Sequence, residues 1–122
     1  MISIDLNKRR EQNQGRPQKE LFPHQLDAVR ALTQCFSFDD DQGKGALLVL
    51  PTGAGKTFTT VKWLYDYVIP RGIKVVWLAH TFHLLDQAAE TFEKHAHEIS
   101  KREILNIRLV SSHPSHDSPL CQ

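Results

Sequence analysis

Apolar positions along the chain change period several times, and each change marks an element. From Leu21 onward, Leu26, Val29, Leu32 or Thr33, and Phe36 recur at helical spacing, and Pro23 suits a first helical turn, where its missing N–H costs nothing. The run Asp-Asp-Asp-Gln-Gly-Lys-Gly over residues 39–45 ends that helix in an acidic, glycine-punctuated loop. Residues 46–50, Ala-Leu-Leu-Val-Leu, form a continuous apolar run of the kind that makes a central strand covered on both faces. Val61, Leu64, Tyr65 and Val68 then share one side of a helix predicted over residues 56–68, which Pro70-Arg71-Gly72 breaks. A second buried strand is predicted over 73–79. A longer helix follows from near His83 to His97, with Leu84, Leu85, Ala88 and Phe92 inward, and a third strand over about 104–110.

The two ends read differently. Residues 1–20 are polar, with Gly15 and Pro17 interrupting any helix, and are expected to be a flexible leader. Ile2, Ile4 and Leu6 alternate there, but three positions do not define a strand. The Lys8-Arg9-Arg10 triplet offers a possible phosphate contact, its plainer reading being a solvated charge run. Residues 111–122, with two prolines, four serines and little apolar content, are expected to fray. Strand, helix, strand, helix, strand builds a parallel sheet through right-handed crossovers, so the fold class is α/β, three layers about a parallel sheet. Three strands leave one edge bare. Residues 21–110 therefore read as the N-terminal part of a larger domain.

Composition narrows the partners. The 122 residues hold 15 Lys and Arg against 14 Asp and Glu, a net charge of +1, so any anionic partner must meet a local surface. Hydrophobic content of 40% with 24% charged residues argues against wholesale disorder. The longest apolar runs have five residues, against the roughly 20 that cross a bilayer. The start lacks the apolar stretch of a secretory signal, and Cys35 and Cys121 share no short spacing. A cytoplasmic location with reduced thiols is expected.

Chemistry concentrates where the first strand meets its helix. Thr52-Gly53-Ala54-Gly55-Lys56-Thr57 is a glycine-rich turn whose successive N–H groups can curl around phosphate oxygens, while the following helix points its positive end at them. Lys56 can bring its ammonium to the β- and γ-phosphates, and the Thr57 hydroxyl can ligate Mg²⁺. The strict pattern wants glycine where Leu50 stands. The plainer reading, a glycine turn that happens to precede Lys-Thr, is disfavoured by the strand before, the helix after and a second βα unit behind. Cys35-Phe36-Ser37-Phe38-Asp39-Asp40 imitates a strand ending in paired acids. It precedes the phosphate turn and closes a helical pattern, so it reads as a helix end with a solvated loop. No acid pair follows a strand further on. His95-x-His97 and His113-x-x-His116 lack a cysteine pair, and no zinc site is expected.

Three segments together resemble the N-terminal RecA-like lobe of superfamily 2 helicases (DEAD/DEAH-type), most closely the restriction-enzyme motor subunits of types I and III. The resemblance spans residues 21 to about 110 and implies a P-loop NTPase fold, here its incomplete N-terminal portion. Leu21-Phe22-Pro23-His24-Gln25 resembles an opening Leu-Arg-x-Tyr-Gln element, in which the glutamine reads adenine; the resemblance gives Gln25 that role, with Phe22 replacing arginine and His24 replacing tyrosine. Residues 51–57 resemble the family's phosphate loop. Residues 75–87 resemble its next motif, a strand, a polar turn and a helix bearing Leu-x-x-Gln. That turn touches the sugar–phosphate backbone in the family, which implies nucleic-acid contact by His80 and Thr81, with Gln87 bracing the helix start. The plainer reading makes Thr81 a helix cap.

The implied function is that of the ATP-binding part of a nucleic-acid helicase or translocase, DNA-directed in preference to RNA and of restriction type. Its cofactors are ATP and Mg²⁺, its catalytic residues Lys56 and Thr57. A second RecA-like lobe, outside this chain, would complete an ATP hydrolase; alone, the chain is expected to be inactive. The alternatives are a non-catalytic, truncated phosphate-loop fragment and, behind it, a small P-loop kinase.

Overall fold

The computed structural model describes residues 1–15, 20–36, 45–50 and 55–112. In chain order these form strand β1 (Ile2–Asp5) and helices α1 (Leu6–Gln12), α2 (Pro23–Cys35), α3 (Lys56–Trp63) and α4 (Phe82–Lys94), then strand β2 (Ile104–Ile107). α3 continues into a π turn (Leu64–Val68) and a 3-10 turn (Ile69–Arg71), and α4 is followed by a 3-10 turn (Ala96–Glu98). Each helix expected from the apolar spacing is present.

α3 and its π turn lie between two apolar clusters. On one side Val61 and Tyr65 pack with Ile4, Leu6, Ala96 and Ile99; on the other, Trp63, Leu64 and Val68 pack with Val29 of α2. Trp77 and Phe92 border both clusters, their rings edge to face at 5.5 Å. α2 is fastened to α3 by the Trp63 indole, which donates to Thr33 Oγ1 at 3.1 Å. The 3-10 turn closes at Gly72, whose φ of +79° reverses the chain, and Arg102 Nε donates to the Ile69 carbonyl there at 3.2 Å.

Charge is buried beside this axis. Lys62 Nζ lies 3.4 Å from Asp66 and 4.0 Å from Glu98, and the other Glu98 oxygen lies 3.2 Å from His95 Nδ1. The Glu98 side chain is 1% exposed and makes no directed hydrogen bond among the described residues, so opposite charge nearby is what compensates its burial. The cluster ties the turn after α4 to the middle of α3.

The N-terminal segment corrects one expectation. Residues 1–20, read as a flexible leader, supply β1 and α1 over residues 2–12. β1 pairs antiparallel with β2, matching Ile2 to Ile107 and Ile4 to Leu105, and Leu6 is wholly buried. The short alternation finds its complement about a hundred residues away, beyond the reach of any local pattern. Asp5 caps α1 by accepting from the Lys8 N–H at 3.2 Å. Two of the three basic residues close carbonyls: Arg9 Nη1 donates to Glu93 O at 3.0 Å, and Arg10 Nη2 donates to Ile99 O and Arg102 O at 2.5 and 2.6 Å.

The sheet corrects another. Among the described residues it has two antiparallel strands, and the parallel three-stranded sheet is not formed. Residues 45–50 and 73–79 take no strand pairing. Their side chains alternate in exposure: Leu50 is buried and Trp77 partly buried, whereas Leu47, Val49, Val76 and Leu78 stand at 89, 75, 84 and 88% exposed. A central strand needs a ladder on each edge and a layer on each face, and here each run has a layer on one face only. An open apolar groove lies between residues 73–78 and 104–110, floored by Leu85, Ala88, Ala89 and Phe92. Of the tail expected to fray, residues 113–122 lie outside the described residues.

Truncation of Leu6 tests the N-terminal packing. Leu6→Ala should cost about 2–5 kcal/mol, read as a lowered denaturation midpoint with unchanged slope; a midpoint within error of the parent would mean that the segment does not pack. Tyr65 supplies a pH test. Burial, then the carboxylates of Glu98 and Glu93, push its phenol well above the ordinary value of 10.0, against a smaller opposing effect of Arg9. The phenol therefore ionises first in the unfolded chain. Stability is intact below pH 10 and should fall by about 1.4 kcal/mol per pH unit above it. Tyr65→Phe should flatten that alkaline slope while losing the hydrogen bond to the Phe92 carbonyl.

Candidate phosphate site

α3 begins on a glycine. Gly55 is its N-cap residue, with φ +73° and ψ +45°, a left-handed conformation that side-chain-bearing residues avoid. Among the described residues no side-chain oxygen caps this end. The first helical bond is Thr59 N–H to the Gly55 carbonyl at 2.9 Å, and the Thr59 hydroxyl donates to the same oxygen at 2.8 Å. Among the described residues, the amides of Gly55, Lys56 and Thr57 have no acceptor. The positive end of the helix dipole is thus left uncapped, the arrangement that accepts an anion. Lys56 is exposed and makes no ion pair with a described residue, and Thr57 is half-buried beside it. Thr52, Gly53 and Ala54 lie outside the described residues.

Gln25 stands against this turn. A side chain built on Gly55 would bring its first carbon to 2.6 Å from Gln25 Nε2. The Gln25 carbonyl oxygen accepts from the Phe22 N–H at 2.9 Å, while the Gln25 N–H bonds back to the Phe22 carbonyl at 2.9 Å. Gln25 is the third residue of α2, so its side chain makes the returning half of a capping box. The residue is 4% exposed. The start of α2 and the start of α3 are therefore joined through one carboxamide.

The turn at His80 and Thr81 is a separate place. Thr81 caps α4, its hydroxyl accepting from the Leu84 N–H at 3.2 Å, which is the plainer of the two sequence readings; as a hydroxyl it keeps a proton to donate. Both residues are exposed. Gln87 Nε2 meets His83 Nε2 at 3.0 Å and so braces the first turns of α4. Phe58, in the first turn of α3, packs on His95 at the C-terminal end of α4, ring centroids 4.8 Å apart. With 13 residues, α4 is about 20 Å long. The structure brings Gln25, Gly55, Lys56 and Thr57 together and leaves His80 and Thr81 at the far end of α4.

The family model for the type III restriction enzyme, res subunit, matches residues 18–118. The chain belongs to this family. No curated protein and no solved structure matches it. The res-subunit family is helicase-like and ATP-binding, has the P-loop NTPase fold and implies a nucleic-acid partner. No described helix is long and apolar enough to cross a membrane. None of the described residues in this res-subunit chain forms a group of three or more His, Cys, Asp or Glu that could hold a metal ion.

The joint between Gln25 and Gly55 escaped the sequence reading as a structural contact. Phe-Pro-His-Gln carried the signal: proline at the first helical position and glutamine at the third announce a helix start that uses its glutamine. A double-mutant cycle tests the joint. Gly55→Ala should destabilise by about 1–2 kcal/mol from left-handed strain alone, and more from the contact with Gln25. In a Gln25→Ala background the contact part disappears, so the two changes should couple by at least about 0.5 kcal/mol. Strict additivity in urea denaturation would show that the two residues do not touch.

Proposed function

We propose that residues 21–110 are the ATP-binding part of a restriction-type helicase or translocase, with the start of α3 as its triphosphate cradle. The observation that carries this reading is the left-handed glycine start at Gly55, uncapped among the described residues and followed at once by Lys56, which makes no ion pair with a described residue, and by Thr57, in a chain of the res-subunit family. The amides of Gly55, Lys56 and Thr57 take phosphate oxygens. Lys56 neutralises charge on the terminal phosphates, and Thr57 completes the shell of a Mg²⁺ ion that arrives with ATP. Thr52, Gly53 and Ala54 belong to the same cradle by motif.

Gln25 serves as the strut behind Gly55. Reading of adenine by its carboxamide, which the resemblance implies, requires the bond from the Phe22 N–H to open. His80 and Thr81 are assigned to the nucleic-acid track. Hydroxyl and imidazole donors there would meet sugar–phosphate backbone without reading sequence, as a motor on DNA requires. Their separation from Lys56 by the length of α4 means that nucleotide and DNA are bound at different places and are coupled only by movement of whole elements.

Hydrolysis needs more than the cradle. An acid pair to hold Mg²⁺ and orient water, and an arginine from a second lobe, are assigned to sequence outside these 122 residues. The reading places the protein in the cytoplasm, acting on DNA. Calorimetric titration with ATP·Mg²⁺ tests it. The 122-residue chain should bind weakly, Lys56→Ala should lower the affinity by at least about tenfold, the order expected when a charge-assisted contact of 1.5–3 kcal/mol is lost, and phosphate release should stay at background. Binding that ignores Lys56 contradicts the cradle. A sustained hydrolysis rate that Lys56→Ala abolishes contradicts the assignment of the acid pair elsewhere.

A further inference from the structure

We infer that His95 is a proton-dependent positioning residue. In the folded chain it is an imidazolium held between the Glu98 carboxylate and the Phe58 ring, and it fixes the opening turn of α3, with the proposed phosphate cradle, against the end of α4. The link to the cradle rests on the function proposed above; the charge on His95 does not.

The buried charges beside α3 do not balance without that proton. Lys62 Nζ lies 3.4 Å from an Asp66 oxygen and 4.0 Å from Glu98 Oε1. One ammonium therefore faces two carboxylates, and the Glu98 side chain is 1% exposed with no hydrogen-bond partner among the described residues. His95 Nδ1 lies 3.2 Å from Glu98 Oε2, so a protonated ring gives the buried carboxylate a second opposite charge. A proton shared by this pair belongs to the imidazole, because a glutamic acid, at about 4.3 in model peptides against about 6.5 for histidine, is the stronger acid.

Two further surroundings favour the cation. The Phe58 ring centroid is 4.8 Å from that of His95, inside the roughly 6 Å over which a cation is drawn to an aromatic face. His95 also ends α4, where the negative end of the helix dipole favours positive charge. Burial and the Lys62 ammonium work against the proton. A neutral His95, however, would leave Glu98 with a single ammonium at 4.0 Å, shared with Asp66. The other titratable groups around His95 are Glu93, Lys94 and His97 in its own segment and Tyr65 in the π turn, with Arg9 and Arg10 on α1, whose guanidiniums are directed at backbone carbonyls.

An unfolded histidine loses its proton at about pH 6.5, whereas in the folded chain the carboxylate holds it to higher pH. The stabilisation is complete below about pH 6.5 and is lost as pH rises through the folded value. The contribution of Tyr65 is constant over that window, since it changes only above pH 10. Phe58, pressed on this ring, stands in the first turn of α3 two residues from Lys56. Loss of the proton weakens that contact and removes one of two supports of the turn, the other being Gln25.

Nuclear magnetic resonance of the imidazole carbons, followed in the full 122-residue chain from about pH 5 to about pH 9, tests the charge. His95 should stay protonated to higher pH than the exposed His80 and His83 in the same spectrum, and Glu98→Gln should remove the difference. Loss of the His95 proton at or below the pH of those two references overturns the inference with no variant required. In urea denaturation the parent midpoint should fall across the same range. His95→Gln should match the parent at the alkaline end and fall below it only at the acidic end. A deficit of equal size at every pH, the mark of a packing role alone, overturns the inference as well. Calorimetric titration with magnesium tripolyphosphate reads the cradle, and comparison of two proteins cancels the titration of the ligand itself. The parent should bind at least about threefold more tightly than His95→Gln at the acidic end, the order of a cation–π contact, and equally at the alkaline end. Equal affinities at both ends overturn the positioning role. Tripolyphosphate binding that ignores Lys56→Ala overturns the cradle itself, a failure separable from that of His95 because the spectrum and the midpoints are read without ligand.

Discussion

At Gly55 the backbone turns left-handed, φ +73°, while the Gln25 amide nitrogen occupies the space a side chain would need. Two constraints meet at that point, one conformational and one steric, and both select glycine. The first amides of α3 have no acceptor among the described residues; because Gln25 abuts Gly55, the turn is held from behind by another helix. The start of α3 is thus set by α2, and α2 is in turn started by Pro23 and by the same Gln25 that touches the turn.

Behind the joint, α3 and the π turn that continues it are anchored by apolar packing on two sides. Val61 and Tyr65 face one cluster, Leu64 and Val68 the other, and Lys62 reaches the buried Glu98 that also meets His95. His95 in turn lies under Phe58, two residues from Lys56. A buried charge cluster is a poor source of net stability, but breaking it by removing one member leaves an uncompensated charge. It therefore favours one placement of the turn after α4 against α3. The N-terminal strand and helix, through Leu6, Arg9 and Arg10, close the same region from outside. The proposed phosphate site sits at the end of this assembly, fixed from two directions.

How much of this the sequence declared depends on the range of the interaction. Elements set by local spacing were legible: the helices at Pro23, Lys56 and Phe82, the break at Pro70 and Gly72, and Thr81 as a cap each follow from neighbours within a turn or two. The proposed phosphate residues stood out in the sequence because glycine, lysine and threonine at fixed offsets carry their own chemistry. What escaped was non-local. Ile2 and Ile4 make a strand only because Leu105 and Ile107 lie opposite. Residues 46–50 and 73–79 have the composition of buried strands, yet burial on both faces depends on layers that no local pattern contains. Gln25 was singled out as a ligand contact through resemblance, whereas the structure first gives it a mechanical task.

The central claim is that the amides opening α3 are the place where the triphosphate binds. Backbone amide shifts, followed by nuclear magnetic resonance during titration of the ¹⁵N-labelled chain with ATP·Mg²⁺, test it atom by atom. The account requires the largest changes at Gly55, Lys56 and Thr57, with the Gln25 side-chain amide responding and His80 and Thr81 nearly still. Changes centred on α4 or on β2, with the amides of residues 55–57 unmoved, would contradict it.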